Sequence, residues 1–278
     1  MTQILDGKKI ATKLREEMKF FIQKEKISPH LVVFLTHPHP ASTIYVNNKR
    51  KACDDVGIHS TIIETPFFSE KLLLERIAFV ARDPDVDGIL VQLPLHPNID
   101  PKHIMQAVPP ERDVDGFHAE NLGKLVQSDP SGFIPCTPLG ILTLLEAYNI
   151  KIRGKHVVIV GRSVTVGKSL ALLLSQKGKD ATVTMAHTAT EHLDTLCASA
   201  DIIVAAAGHP NLITPLMVKK GAVVIDVGTN RVGDKIQGDV DASAIPHCGA
   251  ISPVPGGVGP MTIASLLQNT IKSYISRH

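Results

Sequence analysis

The sequence has little that would tie it to a membrane, a nucleic acid or an oxidising compartment. No stretch approaches the ~18 apolar residues of a membrane span, and Met1 to Lys9 lack the apolar core of a secretion signal. Charge of one sign is also missing: 29 Lys plus Arg stand against 27 Asp plus Glu, which leaves no electrostatic footprint for nucleic acid or an anionic membrane. A small-molecule partner is the better expectation. The four cysteines, at 53, 136, 197 and 248, form neither a C-x-x-C pair nor a zinc ladder and read as packing thiols in a reduced compartment. None of the 13 histidines has a spacing such as H-E-x-x-H, so no metal is expected. The cytoplasm follows by default.

What is present is an ordinary globular composition, 44% apolar and 20% charged, in 278 residues, enough for two modest cores. Residues 8–25 have helical spacing and 30–35 (HLVVFL) read as a buried strand. Helical periodicity returns from Ala41 to Val56. A strand near Thr61 to Ile63, a helix from Ser69 to Ala81 and an apolar strand from Gly88 to Pro94 follow. This alternation implies a parallel sheet. The Pro, Ser, Gly and Thr content of residues 130–138 marks a domain boundary, after which Leu139 to Ala147 read as a helix. A second α/β alternation has strands at His156 to Val160, Ala181 to Ala186, Ile202 to Ala206 and Ala222 to Val227, a doubly wound dinucleotide pattern with a helix from Val166. Pro260 suits the first turn of a final helix ending near His278.

The turn Gly161-Arg-Ser-Val-Thr-Val-Gly167 lacks the G-x-G-x-x-G fingerprint, but one glycine follows a buried strand and another opens a helix. Backbone N–H groups there can approach phosphate oxygens, although a plain strand-to-helix turn has the same pattern. The next strand ends Met185-Ala-His187-Thr188 without the carboxylate that usually meets the ribose of NAD. With Arg162 and Thr188 available to a 2′-phosphate, NADP is favoured.

In the first domain Tyr45, Lys49, Ala52, Cys53 and Val56 share a helical stripe, whereas Arg50 and Lys51 point elsewhere. Position alone favours a solvated or snorkelling lysine. Gln92 interrupts the apolar run from Ile89 to Leu95, where a buried amide needs partners, whether from the backbone or from a functional group. Asp113 and Asp115 precede Gly116, where Asp commonly makes turns.

Taken together, these residues resemble the bifunctional methylenetetrahydrofolate dehydrogenase/cyclohydrolase family. The similarity rests on Pro40-Ala-Ser-x-x-Tyr45-Val-x-x-Lys49-x-Lys-Ala, Asp87-Gly-Ile-Leu-Val-Gln-Leu-Pro-Leu95, Asp113-Val-Asp-Gly-Phe117, Pro135-Cys-Thr-Pro138, Gly161-Arg-Ser163 and Pro253-Val-Pro-Gly-Gly-Val-Gly-Pro-Met-Thr262, in that order. It implies two α/β domains with an interdomain cleft, the second a Rossmann-like doubly wound parallel sheet. A folate-binding catalytic domain would comprise residues 1–137 plus 262–278, the last helix returning to it, and an NADP-binding domain 138–261. Lys49, Tyr45 and Gln92 would be catalytic, with Asp115 on the pterin and Ser42, Pro255, Gly256 and Gly257 also binding substrate. Cofactor contacts would come from Gly161, Arg162, Ser163, Val166, Gly167, His187, Thr188, Ala207, Gly208, Asp226, Gly228 and Thr229. A homodimer and a role in one-carbon metabolism are also implied.

Three sites depart from the family pattern. His37-Pro38 replaces a Gly-containing turn, Ser169 a common proline and Ser252 a frequent threonine. The implied chemistry is NADP-dependent oxidation of 5,10-methylenetetrahydrofolate to the methenyl form, then hydrolysis to 10-formyltetrahydrofolate with Lys49 moving protons. A dehydrogenase lacking the hydrolysis step and a non-catalytic folate- or dinucleotide-binding protein are the rival readings.

Overall fold

The β-branched runs His156–Val160 (HVVIV) and Ile202–Ala205 (IIVA) are buried along almost their whole length, as the inner strands of a sheet covered on both faces must be. The computed structural model describes residues 1–36, 40–64, 69–233 and 235–278. His37-Pro38 lies outside the described residues. The chain divides into two compact units: Met1–Ala11 with Thr137–Thr262, and Thr12–Cys136 with Ile263–His278.

The first unit holds a six-stranded sheet in the order Gln3–Ile4, Ala250–Ile251, Val223–Asp226, Ile202–Ala205, His156–Val160, Thr182–Ala186. Every pairing in it is parallel. From His156–Val160 the chain winds first outward to Thr182–Ala186 and then back across to Ile202–Ala205. The winding therefore reverses between His156–Val160 and Ile202–Ala205, which opens a crevice at their carboxyl ends. Val158, Ile203, Val224, Ile213 and Cys197 belong to the core of this unit.

Residues 1–11 differ from the sequence expectation, which assigned them to the folate-binding domain. Gln3 N–H donates to Gly249 O at 2.9 Å and Leu5 N–H to Ile251 O at 2.8 Å, which adds Gln3–Ile4 to the edge of the six-stranded sheet. A strand of two residues has no periodicity to read.

The second unit holds a three-stranded parallel sheet, ordered His59–Glu64, His30–Leu35, Gly88–Val91. Phe34, Leu73, Ile77, Ile89 and Ile104 fill its core between the sheet and the helices Glu70–Val80 and Pro101–Ala107. The end of the helix Val258–Arg277 belongs here and is anchored by polar groups. Ser273 Oγ donates to Asp87 O (2.7 Å) and Glu111 O (2.8 Å), and Arg277 Nη1 lies 2.8 Å from Asp87 Oδ1.

Two elements differ in extent from their sequence reading. The strand from Gly88 stops at Val91, and Gln92 N–H makes one last bond to Phe34 O at 2.9 Å before Pro94, which has no N–H to donate. The helix expected from Val166 begins as a π-turn, Val164–Lys168, followed by an α-helix, Ser169–Ser175. Lys168 N–H bonds to Ser163 O at 2.9 Å, Ser169 N–H to Val166 O, and Ser169 Oγ to Val164 O. A proline at 169 would forfeit both Ser169 bonds, so the serine is built into this turn.

Candidate active site

In the second unit the helix Pro40–Val56 starts beyond the carboxyl end of His30–Leu35, and Gln92 follows the carboxyl end of the adjacent strand Gly88–Val91. Parallel strands release both segments at one sheet edge, where ligands of α/β folds bind. Ser42 is buried, while Tyr45 and Lys49, one helical turn apart, are 37% and 9% exposed. Lys49 Nζ donates to Gln92 Oε1 at 3.0 Å, and Gln92 Nε2 donates to Leu93 O at 2.7 Å. Both ends of the amide are thereby assigned, so that its carbonyl faces the amine and its NH₂ faces the backbone. The amide carbonyl thus orients the amine through a neutral acceptor.

The two aspartates of Asp113-Val-Asp-Gly116 separate into different tasks. Asp113 is buried and builds the turn: Oδ1 accepts from Gly116 N–H (3.1 Å) and Oδ2 from His118 N–H (2.7 Å) and Asn121 Nδ2 (2.9 Å). Asp115 is partly exposed and lies near Lys49 and Cys136. Desolvation pushes its carboxyl above the usual aspartate range, against the pull of the Lys49 charge and of the Cys136 thiol. Burial, and next Asp115, hold that thiol well above its ordinary value, which makes it a neutral neighbour.

The first unit carries the expected cofactor residues. Gly161, at φ +139°, follows His156–Val160, and a Cβ there would lie 2.2 Å from Ala206 O, just past the strand Ile202–Ala205. A Cβ on Gly167 would lie 2.1 Å from Gly161 O. The two glycines thus let the strand, the turn and the returning chain close up at the reversal point of the sheet. Arg162 and Ser163 are exposed beside them, and Ser163 Oγ accepts from Val166 N–H at 3.2 Å. His187 Nδ1 accepts from Ala189 N–H (3.2 Å) and Thr190 Oγ1 from His187 N–H (2.8 Å), while Thr188 is exposed. No carboxylate ends the strand Thr182–Ala186. A Gly-lined turn at a sheet crevice, with a free guanidinium and hydroxyls, fits a dinucleotide.

Not every expected contact points to a ligand. Asp226 is buried with its carboxylate spent on the N–H groups of Gly228 (3.0 Å), Asp239 (2.9 Å) and Val240 (3.0 Å). Desolvation raises this carboxyl above the usual aspartate range, against those three bonds. Ala207 and Gly208 are exposed, but both N–H groups bond to Asp239 Oδ2, at 2.7 and 2.9 Å. Gly228 is buried against Asp239 and Thr229 is exposed. Ser252 Oγ accepts from Asp226 N–H at 2.8 Å, which accounts for the hydroxyl kept at that position. Pro255, Gly256 and Gly257 belong to the first unit, where Gly256 O accepts from Lys8 N–H at 2.9 Å.

The sequence reading missed two residues that shape these loops. Asp239, wholly buried, holds the Ala207–Gly208 turn and takes Asn230 Nδ2 at 2.8 Å. Asn269, buried on the last helix, donates to Val114 O (2.8 Å) and Ile134 O (3.0 Å), which shortly precede Asp115 and Cys136 in the chain. A polar residue on the stripe formed with Leu266 and Thr270 was the available signal for Asn269.

The family model described as tetrahydrofolate dehydrogenase/cyclohydrolase, catalytic domain, matches residues 5–115, and the NAD(P)-binding domain of the same family matches 135–278. The bifunctional protein FolD of Protochlamydia amoebophila is 49% identical over 98% of this chain and 97% of its own. The crystal structure of the bifunctional FolD enzyme from Campylobacter jejuni is 43% identical, with a TM-score of 0.95 and complete coverage of both chains. That of the Trypanosoma brucei FolD enzyme, complexed with NADP and an inhibitor, is 32% identical with a TM-score of 0.93 over 99% of this chain and 98% of that one. With both domain models matched in order and near-complete coverage at about half identity, the chain belongs to the tetrahydrofolate dehydrogenase/cyclohydrolase family.

Proposed function

We propose that the protein is a bifunctional one-carbon folate enzyme, oxidising 5,10-methylenetetrahydrofolate to the methenyl form and hydrolysing that to 10-formyltetrahydrofolate. The observation that carries this reading is the 3.0 Å bond between Lys49 Nζ and Gln92 Oε1 at the carboxyl edge of the parallel sheet. NADP is the cofactor, supported by the absence of a carboxylate after Ala186, the exposed Arg162 and Thr188, and the NADP bound to the Trypanosoma brucei relative. Bound at Gly161, Arg162, Ser163, Val166, Gly167, His187 and Thr188, it supplies the hydride acceptor for the first activity.

The second activity belongs to the folate-binding residues. Water adds to the cationic methenyl carbon, and Lys49 takes the proton this water loses. The amine returns that proton to the ring nitrogen as its bond to the carbon breaks, and the carbinol hydroxyl loses its own proton to solvent as the formyl C=O forms on the other nitrogen. Gln92 Oε1 accepts a hydrogen bond from the amine in both protonation states, which keeps it aimed through the cycle. Tyr45, one turn earlier and exposed, packs on the substrate ring. Asp115 accepts from the N–H groups of the pterin, and Ser42, Pro255, Gly256 and Gly257 complete the substrate contacts. Ala207, Gly208, Asp226, Gly228 and Thr229 act on the cofactor chiefly by shaping its loops. A homodimer in the cytoplasm, serving purine biosynthesis, completes the reading and rests on the family resemblance.

One assay following reduced cofactor and methenyl product together tests the proposal. A bifunctional enzyme makes reduced cofactor without accumulating methenyl product, a pure dehydrogenase accumulates it, and a binding protein makes neither. For the cofactor, kcat/KM is expected to be at least about tenfold higher with NADP than with NAD, the worth of one charge-assisted contact to the 2′-phosphate. A preference for NAD would overturn that part.

Acidification supplies a further check. Because desolvation raises the Asp115 carboxyl, it protonates at higher pH than an ordinary aspartate and then loses acceptor capacity. The KM for folate is therefore expected to climb as pH falls, beginning above the usual aspartate range, and Asp115→Asn is expected to flatten the climb.

A further inference from the structure

Asn269 lies on the terminal helix, 155 residues beyond Val114 in the chain, yet its side-chain nitrogen donates to Val114 O at 2.8 Å. The same NH₂ donates to Ile134 O at 3.0 Å, and Cys136 Sγ shares Val114 O at 3.3 Å. Val114 O belongs to the rigid peptide plane that ends in the nitrogen of Asp115. The peptide on the other side, between Asp115 and Gly116, is fixed through Gly116 N–H, which bonds to Asp113 Oδ1 at 3.1 Å and Asp113 O at 3.0 Å. Both planes flanking Asp115 are therefore held, one by Asn269 and one by Asp113. With φ and ψ set in this way, only the side-chain torsions of Asp115 remain free.

The second bond of Asn269 fixes the peptide between Ile134 and Pro135, the residue before Cys136, whose thiol lies against Asp115. The spacing leaves no slack: a Cβ on Gly116, itself at φ +78°, would lie 2.7 Å from Pro135 N. We propose that Asn269 is a positioning residue for substrate binding, its carboxamide stapling the Val114 and Ile134 segments together so that the Asp115 carboxylate is presented to the pterin. The inference rests on the reading of Asp115 as the pterin acceptor. It gives a reason for a buried amide at a position where leucine would pack without needing partners.

The test uses full-length Asn269→Leu and Asp115→Ala proteins side by side. Steady-state KM values for methylenetetrahydrofolate and NADP, kcat and the thermal midpoint are measured for each. Asn269→Leu is expected to raise the folate KM by about tenfold or more, since it strips the donor from Ile134 O and leaves Val114 O to the weak thiol donor alone. The KM for NADP and kcat are expected to move less than about twofold, because neither depends on the pterin acceptor. A merely structural amide would instead lower the thermal midpoint and the fraction of active protein with KM unchanged. An unchanged folate KM in folded Asn269→Leu, with Asp115→Ala raising it, overturns the inference alone. An unchanged KM in Asp115→Ala overturns the reading of Asp115 and the inference with it. If Asn269→Leu does not fold, Asn269→Ser, which keeps one donor in a smaller volume, takes its place under the same criteria.

Discussion

Lys49→Met is expected to lower the rate of methenyltetrahydrofolate hydrolysis by roughly 10²- to 10⁴-fold, the range that a positioned proton-transfer group contributes. Methionine keeps the length and apolar body of the lysine stem, so the helix Pro40–Val56 loses a hydrogen bond to Gln92 and little packing. The hydride step needs no proton from the enzyme, and its rate is expected to fall far less. Methenyl product should therefore accumulate in the coupled assay, visible by its own absorbance, while reduced cofactor still forms. Undiminished hydrolysis by a correctly folded Lys49→Met protein would remove Lys49 from the mechanism.

The reciprocal result is expected from Gly161→Ala. A side chain at φ +139° is strained by on the order of 1–3 kcal/mol, and here the added carbon would also meet Ala206 O at 2.2 Å, a backbone atom that cannot rotate away. The turn must shift at the point where the cofactor phosphates are expected. Dehydrogenase kcat/KM with NADP is expected to drop by about 100-fold or more, with a loss of stability on the order of 3 kcal/mol seen in denaturant unfolding. Hydrolysis of methenyltetrahydrofolate by the folded fraction is expected to persist, because Lys49, Gln92 and Asp115 belong to the other unit. Loss of both activities in folded protein would argue against that division of labour. Together the two variants separate the activities in opposite directions, an outcome that neither a binding protein nor a pure dehydrogenase can give.

The sequence by itself determined the α/β class, most strands, the Gly161 to Gly167 turn, and Lys49 and Gln92 as separate candidate residues, whose 3.0 Å bond only the tertiary structure shows. These features are local or periodic: buried strands need continuous apolar runs, and a lysine in phase with Tyr45 and Val56 can be placed on a stripe without a fold. It also held the ordered motifs that carry the family resemblance. Tertiary structure decided which of two aspartates builds the turn and which faces Lys49, since Asp113 and Asp115 are alike in composition and differ only in the direction their side chains leave the chain. It grouped residues 1–11 with the six-stranded sheet, because two paired residues leave no pattern in the sequence. Asp239 and Asn269 became visible only there. Their partners, Ala207 with Gly208 and Val114 with Ile134, are backbone groups far along the chain, and a backbone N–H or carbonyl has no residue identity for a sequence to show.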